Sequence, residues 1–146
     1  MTGRRKPISK AEGRRFGTTT ITPEKSQFDI QGVLTKYGTE ASQWTVEPSR
    51  FTLRFRMNGR NYLFVVPRLP DDQQETRRLF RVLFWYLDTM LAAMDSDLFN
   101  PEKLFLAFLE VAPDVTLGGA LESNDGLLAI RNALGGGQLA LEGGTP

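Results

Sequence analysis

The 146-residue chain contains neither cysteine nor histidine. Without cysteine there is no disulfide, no thiolate metal ligand and no sulfur nucleophile, which fits a reducing compartment. Without histidine, the usual general base near neutral pH and the commonest metal ligand are both gone. Ser-His pairs, Cys-His pairs and imidazole-based zinc sites are therefore excluded. A carboxylate-held magnesium ion or a Lys/Asp mechanism is what catalytic chemistry remains. The expectation is a protein that is not an enzyme and needs no cofactor. Long apolar runs are missing too: no window is long enough to span a bilayer. The opening "MTGRRKPISKAEGRRF" lacks the apolar stretch of a secretory signal. A cytoplasmic protein without membrane contact is expected.

What is present is enough for a core: 40% of residues are hydrophobic and 10% aromatic, in a chain the size of one domain. The net charge of +1 conceals a split. Residues 1–81 carry 16 Lys/Arg against 8 Asp/Glu, and residues 82–146 carry 2 against 9. The balance is +8 in one half and −7 in the other. Such asymmetry points to an electrostatic partner for one end, or to attraction between the halves, within one chain or between copies.

Residues 1–20 are polar and basic, and read as a flexible arm whose removal leaves the fold intact. Thr22-Pro23 starts a helix, with Thr22 as cap and Pro23 in the first turn, and Gly38 ends it. A short strand is expected over 43–48, stopped by Pro48. Then comes "RFTLRFRMNGRNYLFVVPR", Arg50 to Arg68. Asn58-Gly59 between two β-rich runs specifies a hairpin with a type I′ turn. That turn sets Met57 opposite Arg60, Phe55 opposite Tyr62 and Leu53 opposite Phe64. Phe51, Leu53, Phe55, Met57, Tyr62, Phe64 and Val66 share one face; Thr52, Arg54, Arg56, Asn61, Leu63 and Val65 share the other, with Arg50 at its end.

A long helix is expected over about 71–94, with Asp71 and Asp72 at its start. It is apolar almost all round from 79 to 87, as for a central helix or one packed on a partner. Asn100-Pro101-Glu102 opens another helix, Pro113 ends that region, and a further helix is expected over about 124–134. The architecture is thus α+β: an antiparallel sheet built on the hairpin at about 50–67, packed against the long helix and shorter ones. Residues 21–134 form the single domain and 135–146 a glycine-rich tail.

Arg50, Arg54 and Arg56 share one face of a strand, on which alternate residues lie about 7 Å apart. That is near the phosphate repeat of an extended nucleic acid, and guanidinium groups suit phosphate geometry. The competing reading is a solvated face whose arginine stems cover Leu63 and Val65. Arg77 and Arg81 lie one helical turn apart, with Arg78 between them. Their competing role is pairing with Glu75, Asp71 or Asp72. Arg14 and Arg15 belong to the arm. These residues, with Arg60 beside the turn, form the candidate nucleic-acid-binding set. Trp44, Tyr62, Trp85 and Tyr86 would stack bases if exposed, but beside apolar stripes they read as core. Asp95, Asp97 and Glu102 read as an acidic helix junction rather than a cation site. The glycine-rich "TLGGAL" and "LGGGQ" lack the Lys-Ser/Thr of a phosphate loop.

"EKSQFDIQGVLTKYGTE", "FTLRFRMNGRNYLFVVP" and "RRLFRVLFWYLDTMLAAMDSDLFNPEKLFLAFL", in this order, resemble a family of small uncharacterised proteins of tailed phages and prophages. Tyr37-Gly38, Gly59-Arg60 and the helix opening near Arg77, Arg78 and Arg81 carry the resemblance. The chain departs from the pattern at "YLDTMLAAMD", where the family is more basic, and at "APDVTLGG", where an Asp-Gly turn is usual. The resemblance implies a mobile-element setting with genome-handling or host-interference roles, and supplies no site residues. Two functions follow as expectations. One is an accessory protein binding nucleic acid, single strands included, through its backbone. The other is a protein-binding module: an inhibitor of a host or defence complex, or a self-assembling adaptor, with a host or phage protein complex as partner or a homo-oligomer as its assembly. It would use the aromatic long helix and the acidic C-terminal half.

Overall fold

The computed structural model describes residues 9–122 and Arg131. Helix α1 (Pro23–Lys36) starts as the sequence predicts. The Thr22 hydroxyl accepts from the Lys25 N–H at 3.2 Å, and Pro23 lacks only a donor that would have gone unpaired. At its end the Thr39 N–H reaches the Leu34 carbonyl and the Gly38 N–H the Thr35 carbonyl. This closure needs a left-handed residue, which Gly38 supplies at φ 76°.

Strands β1 (Ala41–Val46), β2 (Arg50–Met57) and β3 (Arg60–Pro67) form an antiparallel sheet in the order β1-β2-β3. The hairpin has the expected register, Phe55 opposite Tyr62 and Leu53 opposite Phe64. Its turn places Asn58 at φ 53° and Gly59 at φ 74°, as type I′ requires. The first strand begins two residues earlier than the sequence alone predicts. Pro48 and Ser49 are the turn itself, closed by the Glu47 N–H on the Arg50 carbonyl at 2.8 Å.

Helix α2 (Gln73–Asp95) is capped by Asp72, whose carboxylate accepts from the Glu75 N–H. Short elements follow: α3 (Pro101–Leu104), a 3₁₀ turn (Leu106–Phe108), a small hairpin of β4 (Glu110–Ala112) and β5 (Val115–Thr116), and α4 (Leu117–Leu121). The helix expected over 124–134 and the tail from 135 lie outside the described residues, Arg131 excepted.

The aromatic face of the sheet is buried against both long helices. Phe105 stands edge-on to Phe55 and Phe64, at 5.9 and 5.8 Å between centroids, and Phe64 stacks on Phe108 at 4.1 Å. This packing accounts for much of the apolar surface of α2; Trp85, expected in the core, is instead 39% exposed beneath Arg15. Phe80, Leu83 and Leu87 join the sheet core, Tyr86 meets Phe105 and Phe108, and Arg81 bridges to α1. Arg81 reaches Ser26 and Asp29 near the start of α1, while Tyr37 at its end shares a cleft with Leu91 and Met94. The two helices therefore run in the same direction and begin at the same end of the molecule.

Two expectations need correction. Residues 9–19 are not a free arm but lie along α2. Asp72 accepts from the Ser9 hydroxyl at 2.6 Å and the Lys10 N–H at 3.0 Å, and the Gln74 amide donates to the Gly17 and Thr19 carbonyls. Ala11 is fully buried. Apart from the buried Ala11, polar side chains and backbone groups hold this segment, so composition does not reveal it. Nor is the arginine face of the hairpin simply wet: Leu63 is 3% and Thr52 6% exposed. The β3 edge continues into Leu109, which bridges to Tyr62, and the β4–β5 hairpin sits beside that face.

Phe55→Ala is expected to cost about 3–5 kcal/mol in chemical denaturation; a loss under about 1 kcal/mol would contradict this packing. Deleting residues 1–20 is expected to destabilise by about 1–3 kcal/mol, because Asp72 and Gln74 lose their partners. An unchanged unfolding midpoint would show that the docked segment contributes nothing.

Candidate nucleic-acid interface

Arg54 sits mid-strand on β2 and projects toward β4. Its Nε donates to Glu110 Oε1 at 3.1 Å and its Nη2 to Glu110 Oε2 at 2.8 Å, and Nη2 also meets Asp114 Oδ1 at 2.8 Å. The Asp114 N–H in turn donates to Glu110 Oε2. Asp114 holds φ 59°, a conformation that Asp tolerates better than most residues. The Arg54 guanidinium pulls the Glu110 carboxyl below its ordinary range against the opposing effect of burial, and Glu110 raises Arg54 in return. A bidentate carboxylate thus occupies the fork that would have met a phosphate.

The other candidates divide in the same terms. Arg50 pairs with Glu47 at 3.0 Å. Arg78, half-buried beside the buried Glu75, makes a two-pronged pair at 2.6 and 3.1 Å. Arg81 is a bridge between helices: it reaches Asp29 at 3.0 Å and lies 4.3 Å from the Phe84 ring centre. Asp29 is held below the usual carboxylate range by Lys25 first and then by Arg81. Arg60 falls on the opposite face from Arg54, by strand alternation with Tyr62 and Phe64. Arg56 is exposed and has no ion pair among the described residues. Arg14 is exposed, and Arg15 lies 4.6 Å over the Trp85 ring.

Arg77 is placed differently. It lines a cleft of about 350 Å³ at the end where α1 and α2 both begin, with Thr22, Glu24, Phe51 and Arg68. Among the described residues Arg77 makes one side-chain hydrogen bond, to the Gln74 amide oxygen at 3.4 Å. Arg68 donates to the Glu47 carbonyl at 3.3 Å and rests over Phe51. Neither has a carboxylate partner among the described residues. The sequence reading passed over Arg68, which lies between two prolines outside any periodic element; that position at a strand end was its only signal. It also missed Glu110 and Asp114, whose spacing across a tight turn is common in hairpins.

The opposite end has the opposite sign. A cleft of about 360 Å³ near the hairpin turn is lined by Glu40, Asp95 and Asp97 with Leu91, Met94 and Phe99. Among the described residues no group of three or more His, Cys, Asp or Glu is arranged to hold a metal ion. No described helix is long and apolar enough to cross a membrane. No family model, curated protein or solved structure matches the chain.

Because the Glu110 carboxyl is depressed when folded, its contribution is complete above the ordinary carboxylate range and is lost as the pH falls through the lowered value. Glu110→Gln is expected to lower stability at pH 7 by about 1 kcal/mol, the modest figure that a partly exposed pair allows. The gap from the unaltered protein should shrink as the pH drops below about 4. Urea denaturation at pH 7 and pH 3 measures both, and a gap independent of pH would contradict the role given to the pair.

Proposed function

We propose that this is an accessory protein of the phage or mobile-element type that binds nucleic acid through the phosphate backbone. In this reading the contact surface is the end where the helices begin, not the β2 arginine row. The observation that carries it is the contrast among the arginines. Arg50, Arg54, Arg78 and Arg81 are each neutralised by a carboxylate, whereas Arg68 and Arg77 line one cleft, with Glu24 at its wall, and neither makes an ion pair among the described residues. Arg14 and Arg15 lie in the segment docked along the same helix. Guanidinium groups so placed recognise phosphate irrespective of base, and single strands are accepted as well as duplexes.

A second reading has its own observation. Leu98 and Phe99 are 77% and 50% exposed after α2, and Phe99 lines the acidic cleft with Asp95 and Asp97. An apolar patch with a negative border suits a protein partner carrying a basic, apolar segment. Affinity purification from a producing host, with and without nuclease, separates the two. Capture that survives nuclease and is lost in Phe99→Asp favours the second.

For the first reading the measurement is fluorescence anisotropy with single- and double-stranded oligonucleotides at two salt concentrations. Affinity should fall with salt, each neutralised phosphate contributing a slope of about 0.7–0.9 in log K against log salt. Arg68→Ala with Arg77→Ala should weaken binding to all sequences alike and flatten that slope. Arg54→Ala should leave binding nearly unchanged while lowering stability. Absence of micromolar binding at low salt would overturn the proposal.

A further inference from the structure

Among the described residues no strand pairs with the outer side of β1. The Glu47 N–H on the Arg50 carbonyl makes these two a hydrogen-bonded pair. In an antiparallel ladder such pairs recur at every second residue. Thr45–Thr52, Gln43–Arg54 and Ala41–Arg56 therefore turn their backbone groups toward β2. Ser42, Trp44 and Val46 turn theirs outward. Among the described residues no hydrogen bond reaches these outward N–H and C=O groups. The far edge is different, since β3 continues into the bridge with Leu109. Ala41–Val46 itself contains no charge and no proline, and its pairing with β2 shows no bulge, so these protections of an exposed edge are missing within the strand.

We propose that two copies of this chain join edge to edge through β1, merging their three-stranded sheets into one about a twofold axis at Trp44. The register follows from the backbone. Outward groups pair only with outward groups, and the antiparallel alignment that uses all of them sets Ser42 opposite Val46 and Trp44 opposite Trp44. A twofold axis makes one patch serve both partners. In this alignment Glu47 of each copy faces Ala41 and Glu40 faces Pro48, so no like charges oppose each other. Val46, 56% exposed in the single chain, is covered. The backbone groups alone would accept any extended strand; the absence of opposed like charges along the whole alignment is what fits a second copy. The inference is independent of what the basic end binds.

The absence of native cysteine provides a clean test. The alignment puts Gln43 of one copy opposite Thr45 of the other, in a pair with Cα atoms about 4.5 Å apart, within disulfide reach. Gln43→Cys mixed with Thr45→Cys under mild oxidation should give a covalent dimer of twice the 16.4 kDa chain mass. Each variant alone should cross-link at least tenfold less. Val46→Pro removes an outward N–H and leaves the ladder to β2 intact. Checked by circular dichroism for a native fold, it should be monomeric in light scattering at concentrations where the unaltered protein is dimeric. A monomeric mass for the unaltered protein at high micromolar concentration would overturn the proposal. So would a dimer that forms no mixed cross-link, or one that Gln43→Cys alone links equally well.

Discussion

The register of β2 against β3 is the constraint on which the rest of the molecule depends. Asn58 and Gly59 fix it, both at positive φ, by closing the hairpin in two residues. A slip of one position would send Phe55 outward and Arg54 beneath the helices. With the register held, Phe55 and Phe64 present a flat aromatic floor, and Phe105 inserts edge-on to both. The helices then have one side on which to pack. Arg54 is left on the other side, within reach of Glu110.

Signals that act within a few residues were legible in the sequence. The Thr22-Pro23 start of α1, its end at Gly38, the Asn-Gly turn and the alternation of faces all have local physical causes, and the α+β architecture follows from them. What was not legible is which distant group meets each charge. Arg54 and Glu110 are 56 positions apart, and Arg81 and Asp29 are 52. A row of arginines has the same pattern whether it faces water, phosphate or carboxylate. The segment at 9–19 was misread for a related reason. Its docking rests on Asp72 and Gln74 accepting and donating across more than 50 positions, and no feature within the segment announces that.

The contrast between a basic first half and an acidic second half has two structural expressions. Part of it is closed internally, where Glu110 and Asp114 of the second half meet Arg54 of the first. Part of it is displayed as opposite ends. Arg68 and Arg77 stand where the helices begin, and Asp95 and Asp97 where α2 finishes. Because α1 and α2 run the same way, their dipoles add to this polarity. Two copies joined through β1 would carry two basic clefts on one body, and a long polyanion engaging both would gain by effective concentration instead of by new contacts.

The Asp72 carboxylate also has a kinetic consequence. It holds the start of α2 and receives Ser9 from 63 positions away. The local cap forms as soon as the helix does, whereas the distant contact requires closure of a long loop. If the hairpin and helices assemble first, this contact forms after the rate-limiting step. Interactions absent from the transition state slow unfolding and leave the folding rate almost unchanged. On that order of events the segment at 9–19 is a latch, one that would lengthen the lifetime of the folded chain without helping it to form.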